Sequence, residues 1–261
     1  MFLIWFIHST TKRSSGTLFV LWTLLLIIWV SLLSCETQNE DKIPDTPLWA
    51  PKSQPEAPVE SGIDADPIRD RIFLQWYPCE SNDLEGYDIY RAVKRENPTE
   101  INFEKIITIN IYENQASDTS CFDETVKIGT RYMYYLKAFT TEGIESLSSD
   151  TIIYQLCEKA ELLTPINGVS VGSQPTFSWQ NISRPTELVL RLETLQEHQI
   201  VWISRFSARE QVEYNFDGSA MDTELSSGQN YRWRIDSINM INPDHTEYAG
   251  AESSWQYFMV E

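Results

Sequence analysis

The chain has 261 residues, with 38 Asp and Glu set against 20 Lys and Arg, for a net charge of −18. So acidic a balance repels phosphate backbones and anionic headgroups, which argues against nucleic acid as a partner. The length accommodates two domains of about 100 residues each, with a leader and linker to spare.

The first element is a leader. Lys12 and Arg13 are the only charges ahead of an uncharged, proline-free run from Thr17 to Leu33. That run of roughly 17 residues is at the lower limit for a bilayer span and long for a signal-peptide core of ~7–15. It ends Leu32-Leu33-Ser34-Cys35. This ending resembles the lipobox of bacterial lipoproteins, which implies cleavage before Cys35 and a diacylglycerol on its thiol. The alternative is an uncleaved signal anchor with an incidental cysteine. Glu36, Glu40 and Asp41 follow. That acidic start resembles the export signals of surface-exposed lipoproteins in Bacteroidetes-like bacteria; a solvated acidic tether is the other reading. Residues 1–34 are therefore expected to be a signal peptide and 35–59 a tether. The expected location is the cell envelope, lipid-anchored through Cys35 in the outer membrane, with surface exposure as the further step.

The tether contains Pro44, Pro47, Pro51, Pro55 and Pro58. Proline fixes φ and withholds an N–H, so this stretch reads as extended chain leading into a first edge strand. Beyond it, short period-two segments separated by turn residues dominate, and none has a sustained helical period. Ile72, Leu74 and Trp76 share one face, as do Tyr87 and Ile89, and later Tyr132, Tyr134 and Leu136. Ile152 and Ile153 mark a last strand before Cys157.

The second half repeats this plan. Val126 to Tyr134 and Leu225 to Trp233 both read apolar-x-x-Gly-x-x-Tyr-x-aromatic, and Leu74-Gln75-Trp76 matches Phe177-Ser178-Trp179. Both anchors recur after about 100 residues, which makes a structural repeat the simplest account. Each anchor has a physical role. A Trp fills the space between two sheets, a Gly turns the chain without a Cβ cost, and a Tyr buries its ring while its OH bonds nearby backbone.

These residues resemble fibronectin type III repeats. The apolar-x-Trp strand, the third-strand sequence Gly86-Tyr87-Asp88-Ile89-Tyr90-Arg91 and the Gly-x-x-Tyr turns at Gly129–Tyr132 and Gly228–Tyr231 carry the resemblance. It implies an all-β chain with two tandem fibronectin-III-like, immunoglobulin-like β-sandwiches, at 60–157 and 161–261. The second departs from the pattern at its third strand, where Glu187 to Leu192 has no Gly-Tyr. The family implies binding or spacing roles and no catalytic residues.

On that fold, strands two and five are antiparallel neighbours, which favours a disulfide between Cys79 and Cys121. Pairing of either with Cys157, or no disulfide, stays open. Strands three and six are also neighbours. Asp88, Tyr90 and Arg91 then face outward beside Met133, Tyr135 and Lys137, and Tyr90, Met133 and Tyr135 form a candidate partner-binding patch. The bland reading is that these rings stabilise the sheet or touch the second domain. In the second domain Arg232, Arg234 and Asp236, with Arg191 opposite, read as a charged ladder on a solvated face, and Trp233 reads as core.

Chemistry-bearing motifs are scarce. His198 and His245 have no ligand-spaced partner, and Asp64, Asp66 and Asp70 lack the glycine and terminal glutamate of a calcium loop, so a solvated loop is preferred there. No nucleophile elbow, phosphate-cradling loop or zinc-protease motif occurs. The expectation is a non-catalytic lipoprotein without metal or cofactor, binding an envelope or extracellular protein as a scaffolding module. The alternatives are glycan binding or adhesion through aromatics such as Trp202 or Tyr90, and an accessory role in an envelope hydrolase system.

Overall fold

The computed structural model describes residues 43–81, 83–96, 100–111, 119–182, 184–207, 209–240 and 247–261. The leader, Cys35 and His245 lie outside the described residues. Among the described residues the first half has seven strands: β1 (Asp64–Ala65), β2 (Ile72–Gln75), β3 (Leu84–Val93), β4 (Glu104–Asn110), β5 (Ser120–Asp123), β6 (Arg131–Thr140) and β7 (Ile152–Leu156). Strands β1, β2 and β5 form one layer, and β4, β3, β6 and β7 the other. Alternation along each strand sends Ile72, Leu74, Tyr87, Ile89, Tyr134 and Leu136 between the layers, all of them fully buried.

The second half begins with β8 (Glu161–Thr164), β9 (Val169–Val171), β10 (Thr176–Gln180), β11 (Glu187–Thr194) and β12 (Ile200–Ser207). It continues with β13 (Gln211–Glu213), β14 (Asn230–Met240), β15 (Glu247–Glu252) and β16 (Gln256–Val260). Strands β8, β10 and β13 make one layer; β12, β11, β14 and β15 make the other. A separate core of Phe177, Trp179, Leu190, Trp202, Trp233 and Phe258 fills the space between them. The fold is all-β, two β-sandwiches in tandem.

The repeat anchors occupy equivalent places. Trp76 continues β2 and Trp179 lies on β10, each the central strand of a three-stranded layer, and both are 1 % exposed. The Tyr132 hydroxyl accepts from Lys127 N at 3.1 Å, and the Tyr231 hydroxyl from Ser226 N at 3.0 Å. Ahead of these tyrosines, Gly129 and Gly228 have φ of 77° and 79°, and their N–H groups donate to Leu156 and Val260 at 2.8 Å. Left-handed φ at both turns is why glycine recurs there.

A second repeated device was not visible in the sequence. Ser149 and Ser253 are buried where the last strand of each half is interrupted. Each hydroxyl accepts a backbone N–H at 3.0 Å, from Leu136 and Ile235 respectively, while each serine N–H donates back to the same residue's carbonyl at 2.9 Å. The side chain thereby replaces a missing strand neighbour, so no buried amide is orphaned. Serine is common in loops, so its sequence signal is weak.

Two features join the halves. First, β15 pairs with β7 in parallel, from Glu247 opposite Ile153 to Gly250 opposite Leu156, so the larger layers merge into one sheet ordered β12-β11-β14-β15-β7-β6-β3-β4. Small residues line this seam: Cys157, Ala249 and Ala251 are buried together, and a Cβ on Gly250 would stand 2.7 Å from the Ser237 carbonyl oxygen. Second, from Ile43 onward the proline-rich segment is packed into the fold. Leu48 O accepts from Tyr77 N at 2.8 Å and Ala50 N donates to Gln75 O at 3.0 Å, so this piece lies on the edge of β2 that β1 also uses. Pro51–Gly62 is thus a loop inserted within one edge strand. It is closed at its base by Ser53 N to Ser61 O at 3.1 Å, and it reaches across to the second half. Gly62 has φ 83°, and a Cβ there would lie 2.6 Å from Lys52 Cα, so only glycine closes the loop.

Candidate functional site

The outward face of the first sandwich carries the expected aromatics. Tyr90 on β3 sits opposite Tyr135 on β6, with ring centroids 4.7 Å apart and planes 14° from parallel. Phe103, just ahead of β4, packs on Tyr135 at 4.7 Å, and Lys137 lies over the Tyr90 ring at 5.9 Å. Sequence reasoning missed Phe103 because it lies outside any alternating segment. Met133 faces outward on β6, paired with Ala92 and Ile153. All four are half-buried, forming a shallow, partly exposed aromatic surface. Burial first, then Glu145 and Asp88, holds the Tyr90 phenol above its usual range, so it stays a neutral hydrogen-bond donor.

Two neighbours differ from expectation. Asp88 is buried on this face because Thr108 and Lys105 (3.0 Å) from β4 cover it. Arg91 has the parity of Tyr87 and Ile89, and it turns toward the other layer instead of outward. There it binds Asp123 at 2.8 Å, and Asp123 also accepts from the Tyr134 hydroxyl at 3.0 Å.

The corresponding face of the second sandwich is not solvated. Arg191, Arg234 and Asp236 are 2, 3 and 7 % exposed, because the loop Pro51–Gly62 lies over them. Arg191 donates to the carbonyls of Ala57 at 2.9 Å and Pro55 at 2.7 Å and to Asp236 at 2.8 Å. Arg234 donates to both Glu60 oxygens at 2.7 Å and contacts Glu252 at 2.9 Å. Its Nε lies 2.8 Å from Asp236 Oδ1, an ion contact out of line for a hydrogen bond. Arginine suits the place because its planar fork meets carbonyls and carboxylates together. Period-two patterning identified these residues as outward-facing but carried no sign of the cover, which comes from about 130 residues upstream. Arg232 does stay at the rim, paired with Glu193 at 2.8 Å and stacked 4.2 Å over Trp255.

Beside this network a cavity of about 370 Å³ opens between the loop and the seam, lined among others by Lys52, Glu60, Asp64, Tyr154, Tyr248 and Glu252. Burial, then Asp236, lifts the Glu252 carboxyl well above the carboxylate range against the pull of Arg234; Glu60 is raised for the same first two reasons. Oxygens of Glu60, Asp64 and Glu252 approach within 4.8 Å of one another, yet each acid already has a cation: Arg234 for Glu60 and Glu252, Lys52 for Asp64. A metal ion would have to displace those cations.

The other candidates separate. Cys79, Cys121 and Cys157 are free thiols, so the expected Cys79–Cys121 disulfide does not form. Strands β2 and β5 are indeed antiparallel, but the register sets Cys121 opposite Leu74. Cys79 lies five positions beyond Leu74, past the end of β2, and its thiol donates to the Asp45 carbonyl at 3.4 Å. Burial pushes the Cys121 thiol up to about 12, leaving it an inert packing group. Trp202 is 1 % exposed and donates to Ser219 at 2.9 Å and Asp217 at 3.2 Å, so it is core and offers no sugar platform. Trp233 is core, as expected. Asp64, Asp66 and Asp70 diverge to Lys52, Arg71 and Lys159 respectively, and His198 is exposed between β11 and β12.

The fold defines a protein of two tandem β-sandwiches. The chain is similar to the chicken CNTN1 FN1-FN3 domains, at 15 % identity over 83 % of this chain and 69 % of that one, with a TM-score of 0.34. No family model and no curated protein matches it. Among the described residues, no helix is long and apolar enough to cross a membrane.

Proposed function

We propose that this protein is a non-catalytic, lipid-anchored binding module of the cell envelope that engages a protein partner through the outer face of its first sandwich. The observation that carries the reading is the Tyr90–Tyr135 stack flanked by Phe103. Paired, pre-ordered tyrosines offer amphipathic contact area at little entropic cost, the composition favoured at recognition surfaces. Their backs rest on a filled core, so the rings hold their positions without a partner. The matching face of the second sandwich is covered from within the chain, which leaves the first as the face available to a partner. Anchoring rests on the Leu32-Leu33-Ser34-Cys35 sequence.

Crosslinking the intact chain in cells, followed by purification, should recover a partner that the Tyr90→Ser/Tyr135→Ser variant fails to capture. Equal capture by the variant removes this surface from the reading. Binding of the wild type to glycans in an array, lost in the variant, would replace the protein partner by a carbohydrate. Growth with an alkyne-tagged fatty acid should label the wild type and not Cys35→Ser; labelling of both would refute the lipid anchor.

A further inference from the structure

The loop Pro51–Gly62 holds the two halves together through charge, and the charges around the cavity do not balance. Glu60, Asp64, Asp236 and Glu252 stand against Lys52, Arg191 and Arg234. The nearest further cations are committed elsewhere. Arg205 binds Glu187 and lies 3.5 Å from Glu56, while Lys159 donates to the carbonyls of Asp66 and Arg69 and contacts Asp70, its charge reaching Glu252 only at longer range. On β15 itself, Glu247 is paired with Lys94. Tyr154 of β7 donates to Asp64 at 3.3 Å, and burial, then the Asp64 and Glu252 charges, raises its hydroxyl well above the usual range, so it adds no charge. Among the described residues, one carboxylate is in excess.

The most enclosed acid whose carboxyl is raised is Glu252, at 5 % residue exposure, whereas the Glu60 side chain on the loop is 31 % exposed. An ionised group in that position is costly, and the surplus charge is removed most simply by a proton. We propose that Glu252 is a proton-operated latch on the loop Pro51–Gly62. Protonated, it leaves three cations facing three carboxylates and the loop closed over the second sandwich. Ionised, it repels Glu60 and Asp64 and loosens the loop from Arg191 and Arg234.

The sign follows from the direction of the Glu252 shift. A carboxyl raised in the folded state stabilises closure fully below the ordinary carboxylate range, and that contribution is lost as pH rises through the folded value. Closure is therefore tightest in mild acid, the reverse of ordinary carboxylate ion pairs, and it depends on a place in the fold that the partner face does not touch.

Amide exchange of residues 53–61 in the full-length chain, normalised to intrinsic rates, tests this. As pH rises from the ordinary carboxylate range, about 4.3, loop protection should fall by up to tenfold per pH unit, the limit for one proton, until Glu252 is fully ionised. Peptides of β6 serve as the internal reference and should not follow. Glu252→Gln keeps the neutral form and should show high protection with no slope, and Glu60→Gln should lower the slope by removing the repelled partner. A wild type without slope, or a slope retained in Glu252→Gln, overturns the proposal. Recovery of protection at pH 8.5 on adding calcium alone would also overturn it, because the cluster would then be a cation site.

Discussion

The outer faces of the two sandwiches occupy the same place in the repeat and meet different fates. On the first, β3 and β6 present Tyr90, Met133 and Tyr135, and the rings pair with one another. On the second, β11 and β14 present Arg191, Arg234 and Asp236, which the loop Pro51–Gly62 buries. Aromatic pairs can be left partly wet at little cost, whereas charges taken out of water demand complete pairing. Equivalent strand positions have thus become an open surface in one half and an internal clasp in the other.

Five variants probe that contrast. Arg234→Met carries the largest expected effect, because it removes a cation shared by Glu60, Asp236 and Glu252, leaving the first two to Arg191 and Glu252 without an ion contact. Breaking a buried pair from one side costs about 3–5 kcal/mol, read as a lowered urea midpoint. A change below about 1 kcal/mol would mean that the second face is solvated after all. Gly86→Ala should rank next. A Cβ there would lie 2.1 Å from the Ile109 carbonyl oxygen, so β3 and β4 must separate, at a cost of about 1–3 kcal/mol. No loss would show that β4 does not lie so close to the aromatic face.

Smaller and paired effects belong to the tyrosine corners. Tyr132→Phe and Tyr231→Phe each remove one hydroxyl that accepts a backbone N–H and should each lower stability by about 0.5–1.5 kcal/mol. Clearly unequal losses would break the equivalence of the halves. The smallest stability change is expected for Tyr90→Ser/Tyr135→Ser, under about 0.5 kcal/mol per ring in melting experiments, alongside loss of the partner. A large drop instead would make the stack a stabilising feature of the sheet.

Much of the fold was legible in the residues. The Trp76/Trp179 and Tyr132/Tyr231 anchors occupy the equivalent places their spacing implied, and alternation assigned Tyr90 and Tyr135 to one face. Alternation already pointed Arg91 inward, where Asp123 meets its charge, and the outward reading went against it. The Cys79–Cys121 pairing failed because adjacency of two strands says nothing about their register. Trp202 was offered as an exposed ring because an indole on a strand looks the same on either face until its partners, Asp217 and Ser219, are known.

The sequence by itself determined which residues alternate, where the chain turns and that one sandwich plan occurs twice, since these rest on local backbone geometry and a period of two. Only the tertiary structure decided that β7 and β15 fuse the larger layers and that a loop from the first half closes over the arginines of the second. Such contacts join residues far apart in the chain, and their energy comes from burial and from charges brought together in space. No local pattern records that neighbourhood.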